Sequence, residues 1–344
     1  MKKISYNNMD LKELEDFFIS IDEKKFRAEQ LFIGLHNKNY FDLDEFTNIS
    51  KELKSKLKDY GFINKSEISK VFKSKLDNTR KYLIKLNDGN IIESVYMEYS
   101  SHNTICISSQ VGCRMGCTFC ASTKQKFVRN LQPSELLNQI YLIQKDVGKR
   151  ISNIVLMGIG EPLDNYNNVL KFIKILSDKK GYNISKRNIT LSTCGIVPRI
   201  HELANEDLPI NITISLHNPF DEERRKIMPI GNRYSVEEII EATKYYFQKT
   251  GRRISFEYTL IEGENDSYTH AKELRRILRG LNCHVNLIPL NKIKEFNKNS
   301  SNRESIKKFK SYLDEFGITT TIRTSLGQDI DGACGQLRAA HNFN

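Results

Sequence analysis

The chain has 344 residues, with 53 Lys and Arg against 42 Asp and Glu, a net charge of +11 and a pI near 9.1. Hydrophobic residues make up 39% and mean hydropathy is −0.49, which permits a sizeable core, but no apolar run approaches the roughly 18–20 residues of a membrane span. Seven cysteines are too few, and odd in number, for a disulfide-stapled secreted scaffold, and Met1-Lys2-Lys3 leads into polar residues rather than the apolar segment of a signal peptide, so a cytoplasmic globular protein is expected.

The first 75 residues read as a small helical domain. Leu11, Leu14, Phe17 and Phe18 keep a helical rhythm, as do Phe26, Leu31, Phe32 and Leu35, with Lys and Glu filling the other face. Next, 82–86 and 91–97 flank Asn87-Asp88-Gly89-Asn90, a strong hairpin signal that defines an extension over 76–103. From 104 to 344 strands and helices alternate. Strands are predicted at 104–108, 151–157, 188–192, 210–215, 255–260, 284–288 and 319–323, and helices at 133–145, 167–176, 236–249, 270–279 and 304–316. Such alternation means a parallel sheet with crossover helices. Six or seven units fit an α/β fold of the TIM type, a partial or full βα barrel, whose chemistry sits at the C-terminal ends of its strands.

The sharpest motif lies at such a strand end: Cys113-Arg114-Met115-Gly116-Cys117-Thr118-Phe119-Cys120. Arg and Gly between the thiols deny them a common apolar face. Structural zinc wants four closed ligands, and only His102 is near enough to serve as the fourth. A [4Fe–4S] cluster held by Cys113, Cys117 and Cys120 instead leaves one iron open to an outside ligand. Other strand ends carry polar groups too: Gly158-Ile159-Gly160-Glu161-Pro162, Ser192, Ser215-Leu216-His217 and Asn291. Singly, these read as a tight turn or a core histidine. Together they read as groups around one cofactor.

The C-x3-C-x2-C spacing, with an aromatic before the last cysteine, resembles the radical S-adenosylmethionine (radical SAM) superfamily. The resemblance implies that the open iron chelates the amino and carboxylate groups of S-adenosylmethionine, and that an electron then cleaves it to a 5′-deoxyadenosyl radical. It also implies that Gly160, Glu161, Ser192, Ser215, Leu216, His217 and Asn291 bind that cofactor. Cys106 precedes the cluster motif by seven residues, and Cys334 lies in a glycine-rich C-terminal stretch. With 106–112, 157–163 and 327–337, the chain resembles the adenine-C2 RNA methyltransferases of the RlmN type over nearly its whole length. Ile159 and Gly332 depart from the usual pattern without removing a reacting atom.

That resemblance implies a substrate adenosine in the peptidyl-transferase region of 23S rRNA, and a purine beside the anticodon of tRNA. C2 of adenine is electron-poor and does not attack a methyl sulfonium, so a detour is needed. Cys334 takes a methyl group by displacement, and the radical then removes a hydrogen from that methyl. After addition to C2, Glu93 accepts a proton and Cys106 resolves the adduct through a transient disulfide with Cys334. An electron donor such as flavodoxin or ferredoxin, and a monomeric protein, are expected. Cys194 and Cys283 read as inert. The N-terminal helices, the acid-free run with Arg114, Lys124, Lys126 and Arg129, and the pairs Lys149-Arg150, Arg224-Arg225 and Arg252-Arg253 are expected to face RNA phosphates. Three other readings exist: the C8-methylating relative Cfr, against which Val111 and Pro162 stand; a glycyl-radical activase, which needs neither Cys106 nor Cys334; and a zinc-dependent RNA-binding module.

Overall fold

A computed structural model describes residues 3–338. Its N-terminal part comprises β1 (Ile4–Ser5), α1 (Leu11–Ser20), α2 (Lys25–His36), α3 (Lys51–Tyr60) and β2 (Gly61–Phe62), with β1 and β2 paired in parallel. Asp10 and Glu13 form a reciprocal capping box that starts α1. Leu14, Phe18, Leu31, Phe32, Leu53 and Leu57 turn inward and are buried. These helices do not stand apart. His36 Nδ1 meets the Tyr141 hydroxyl at 3.1 Å, Lys174 reaches Asp10 at 2.6 Å, and the apolar cluster runs on into the remainder of the chain.

The central sheet has ten strands: β3 (Glu67–Lys73), β4 (Arg80–Lys85), β5 (Ile91–Glu98), β6 (Asn103–Cys106), β9 (Asn153–Leu156), β10 (Ile189–Thr193), β11 (Asn211–Ser215), β12 (Ile254–Leu260), β13 (Cys283–Pro289) and β14 (Thr320–Ile322). Between β6 and β9 lies a small ribbon of β7 (Gln110–Val111) and β8 (Arg129–Asn130). The crossing helices are α4 (Pro133–Val147), α5 (Tyr166–Ser177), α6 (Val197–Ala204), α7 (Asp221–Ile227), α8 (Val236–Thr250), α9 (Tyr268–Ile277) and α10 (Arg303–Glu315). Strands β6 to β14 of the sheet are parallel and β14 is its edge, which gives an open, partial βα barrel.

The expected hairpin is a three-stranded antiparallel unit, because β3 pairs with β4. No residue of β3 is fully buried, and a register shift between Ile68 and Lys70 breaks its alternation, so the period that reveals a strand is missing. The unit is also continuous with the barrel: β5 pairs antiparallel with β6, setting Val95 beside Cys106. That pairing brings the hairpin to the catalytic end of the barrel.

Candidate active site

The cluster motif occupies the loop between β7 and β8. Gly112 and Gly116 both have positive φ (+74° and +76°), and a Cβ on Gly112 would lie 2.3 Å from the Lys126 carbonyl oxygen. Only glycine makes that approach without displacing backbone. The Thr123 hydroxyl donates to the carbonyls of Cys117 and Cys120, both at 2.9 Å, and the Thr118 N–H donates to Ile227 at the end of α7 (2.9 Å). The loop is also stitched to the C-terminal segment, since Ala121 N–H donates to Gly335 O (2.7 Å) and Ser122 Oγ to Leu337 O (2.8 Å).

Cys113, Cys117 and Cys120 line one wall of a cleft with about 1010 Å³ of open space. Burial, with neighbouring thiols adding to it, pushes the Cys113 thiol up to about 12 and raises Cys117, and burial alone raises Cys120. Thiols so placed ionise when a cation takes the place of the proton. Among the described residues, no three His, Cys, Asp or Glu side chains are grouped closely enough to hold a single metal ion. A cube is different, because each thiolate binds its own iron corner.

The strand-end groups converge on the same cleft. Gly160, Glu161, Ser192, Ser215, His217 and Asn291 all line it. Gly158 and Gly160 are obligatory: a Cβ on the first would meet Ile107 C at 2.7 Å, and on the second, whose φ is +106°, Gln110 Cβ at 2.6 Å. The Glu161 carboxylate accepts from the backbone N–H groups of Leu163 (3.0 Å) and Cys194 (2.8 Å). Burial raises its pKa, and among the described residues it has no cationic partner. A buried carboxylate on a cleft wall suits a cationic ligand such as an ammonium group.

His217 stands at φ +58°, and its Nδ1 accepts from Thr259 N–H at 3.0 Å, which leaves the proton of the neutral ring on Nε2. Burial, aided by Arg224, lowers this histidine to about 3, so it stays neutral. Leu216 is the exception in the expected set. It does not line the cleft: its side chain is wholly buried in the core, and its carbonyl accepts from Arg224 Nε at 3.1 Å.

A second, narrower chamber adjoins the cleft, with Met157, Ile288, Asn291, Arg323 and Cys334 common to both. Cys106 and Cys334 both line it. Cys106 lies in an apolar patch with Val95, Ile159 and Leu337, and burial pushes its thiol up to about 12. Cys334 touches the water of the cleft although protein walls surround it; desolvation raises its thiol, and Arg323 works the other way. Asn291 Nδ2 donates to the Cys334 carbonyl at 3.0 Å and holds that loop over the cleft. All seven cysteines are free, so a standing Cys106–Cys334 disulfide is not part of the fold.

Glu93 belongs to neither lining. It shares the inner face of β5 with Val95 and Met97 and is the next residue along, beyond the chamber. There it accepts from Arg338 N–H (2.9 Å) and faces Lys81 Nζ at 3.4 Å. Desolvation raises its pKa, with Lys81 opposing.

Two charged residues lining the cleft escaped sequence reasoning, and a third was misplaced by it. Arg323 Nη1 lies 3.7 Å from Glu257 Oε1, and both face the cleft. A lone carboxylate within the otherwise uncharged strand 254–260, and an arginine at a strand end, were the available signals. Arg224 is completely buried; inside Asp221–Ile227, where three acids precede three bases, nothing in the sequence sets it apart. It is therefore not available to RNA. Arg129 is likewise committed, to Asp88 (2.7 Å) and as a fork to Glu135 (2.8 Å to each oxygen). Arg114 pairs with Asp164 and stacks on Phe127, whereas Lys124 and Lys126 are exposed.

Fold and site together define a radical SAM enzyme, and comparison with known proteins agrees. A family model described as the radical SAM superfamily matches residues 107–274, and one described as the ribosomal RNA large subunit methyltransferase N-terminal domain matches 5–63. The chain is 56% identical over 336 residues to a probable dual-specificity RNA methyltransferase RlmN of Finegoldia magna, covering 98% of this chain and 96% of that one. It is 52% identical to the protein of the same description from Clostridioides difficile, over 98% of each. A solved radical SAM methyltransferase from Sphaerobacter thermophilus superposes with a TM-score of 0.93 at 38% identity, over 97% of this chain and 99% of that one. The chain belongs to the RlmN family of radical SAM RNA methyltransferases, whose cofactors are a [4Fe–4S] cluster and S-adenosylmethionine.

Proposed function

We propose that the enzyme methylates C2 of an adenosine in the peptidyl-transferase region of 23S rRNA and of the purine beside the anticodon of tRNA. The observation that carries this reading is the shared chamber. Cys106 and Cys334, separated by over 200 residues, line one cavity that opens into the cleft of the three cluster thiols. A glycyl-radical activase has no use for such a pair.

In this reading Cys113, Cys117 and Cys120 would hold the cluster, which would supply the electron for reductive cleavage of S-adenosylmethionine. Glu161 receives the ammonium group of that ligand, and Ser192, Ser215, His217 and Asn291 orient the rest, with Gly160 shaping the wall and the Leu216 carbonyl holding Arg224. The Cys334 sulfur takes the methyl group and presents it to the base. Cys106, held protonated in its apolar patch until then, gives up its proton as its sulfur attacks that of Cys334, and the resulting transient disulfide releases the methylated base. Glu93 accepts the proton once the Arg338 segment moves off its carboxylate. Residues 1–75 and the exposed Lys124 and Lys126 contact the RNA, with 76–103 as the hairpin extension and 104–344 as the barrel, of which 339–344 lie outside the described residues. The protein works in the cytoplasm as a monomer, with an electron donor such as flavodoxin or ferredoxin. Among the described residues no helix is long and apolar enough to cross a membrane.

Nucleoside mass spectrometry of 23S rRNA and tRNA from a deletion strain tests this. Loss of 2-methyladenosine from both, restored by the wild-type gene, supports it. Unchanged nucleosides, or 8-methyladenosine in its place, overturn it.

A further inference from the structure

Arg224 presents a problem of charge. It is 0% exposed, and no carboxylate lies within ion-pair distance of it among the described residues. Burying an unpaired cation is expensive, and natural proteins compensate it with an anion. Arg224 donates Nε to the Leu216 carbonyl (3.1 Å) and Nη2 to the carbonyls of Cys194 (2.7 Å) and Ser215 (3.4 Å), which fixes the guanidinium against two strand ends. The remaining nitrogen, Nη1, is buried and has no hydrogen-bond partner. Its helix abuts the cluster loop, where Ile227 O accepts from Thr118 N–H, and the groups whose negative charge would act on it are Cys194, Cys117 and, beyond ion-pair distance, Asp221.

We propose that Arg224 is the buried counter-ion of the [4Fe–4S] cluster, with Nη1 directed to a cluster sulfur or to the Cys117 thiolate. This rests on the assignment of Cys113, Cys117 and Cys120 as ligands. An oxidised cube carries two positive charges and three thiolates carry three negative ones, so the assembly is a monoanion. One electron from the external donor makes it a dianion. A fixed cation in a low-dielectric site stabilises the dianion more than the monoanion. Arg224 therefore eases reduction of the cluster, the step that precedes cleavage of S-adenosylmethionine, while its other donors tie down the loops that carry Ser215 and His217.

The test is an EPR-monitored redox titration of the reconstituted holoenzyme, wild type against Arg224→Met and Arg224→Lys. At a fixed ambient potential Arg224→Met is expected to hold at least tenfold less reduced cluster relative to oxidised, equivalent to about 59 mV for one electron. Arg224→Lys, which keeps the charge, is expected to shift by less than half as much. Equal potentials in wild type and Arg224→Met overturn the proposal. Should Arg224→Met fail to accumulate, the wild-type protein grown with ¹⁵N-arginine suffices. Pulsed EPR of its reduced cluster is expected to show a ¹⁵N hyperfine coupling that Arg224→Lys removes, and its absence from wild type also overturns the proposal. Iron analysis separates the two assignments: a preparation without about four irons per chain refutes the ligand set itself, whereas a full cluster with an unmoved potential refutes only the counter-ion.

Discussion

At Cys334 the thiol is exposed to the cleft and feels the field of Arg323, while Cys106, lining the same chamber, is packed among Val95, Ile159 and Leu337. That difference suits a carrier and a resolver. Replacing Cys334 with Ala is expected to abolish methyl loading and leave no RNA attached. Replacing Cys106 with Ala should still allow loading and addition to the base, and stop at release. A denaturing gel with and without nuclease then shows a protein band shifted by nucleic acid; normal turnover by Cys106→Ala would sink the thiol relay. Histidines supply a second test at this scale. Burial lowers His36 and His217 to about 3, from 6.5 in the unfolded chain. Between those values the unfolded state binds more protons, so stability falls as pH drops from 6.5 toward 3, by up to about 1.4 kcal/mol per pH unit for each histidine. His36, far from the cleft, isolates the effect. Urea unfolding at pH 7 and pH 5 should show a smaller loss in His36→Phe than in wild type, and equal losses would contradict the assignment.

Among the elements, the β7–β8 ribbon shows how a charge run divides. Arg114, Lys124, Lys126 and Arg129 look equivalent in sequence, yet Arg129 locks Asp88 and Glu135 together while the two lysines stand exposed at the surface. Changing Lys124 and Lys126 together to Ala is expected to lower the salt dependence of RNA binding by roughly 0.7–0.9 in log–log slope for each phosphate no longer neutralised. Arg129→Ala should leave that slope unchanged and destabilise the ribbon instead. Fluorescence-anisotropy titrations over a range of KCl distinguish the two. The parallel strands and their strand-end motifs were legible because each pairs an apolar run with a polar terminus. The antiparallel β3 was not, because an edge strand with no buried residue leaves no hydrophobic period.

Across the whole molecule, the C-terminal segment is held over the cleft by hydrogen bonds from distant parts of the chain. Asp329 accepts from Ser74 Oγ (2.7 Å) and Lys75 N–H (2.8 Å), while Asp77 accepts from Gly327 N–H (3.0 Å). This reciprocal clasp joins the β3–β4 turn to the loop that carries Cys334. Asp329→Ala is expected to speed limited proteolysis within 325–334 and slow RNA methylation, with less effect on reductive cleavage of S-adenosylmethionine. Proteolysis and methylation both at the wild-type rate would show the clasp to be dispensable.

Residue type and local spacing by themselves determined the three-cysteine motif, the polar strand-end positions that come to line one cleft, and the alternation of strand and helix. Each depends on chemistry or periodicity expressed within about twenty residues. Only the tertiary structure decided which cations remain at the surface, that Arg323 and Glu257 face the cleft, that the Leu216 side chain turns into the core, and that Arg224 is buried beside the cluster loop. Those outcomes depend on what a side chain meets across the fold: an arginine facing a carboxylate, a carbonyl or water reads the same in sequence, and its energy differs by the whole cost of desolvation.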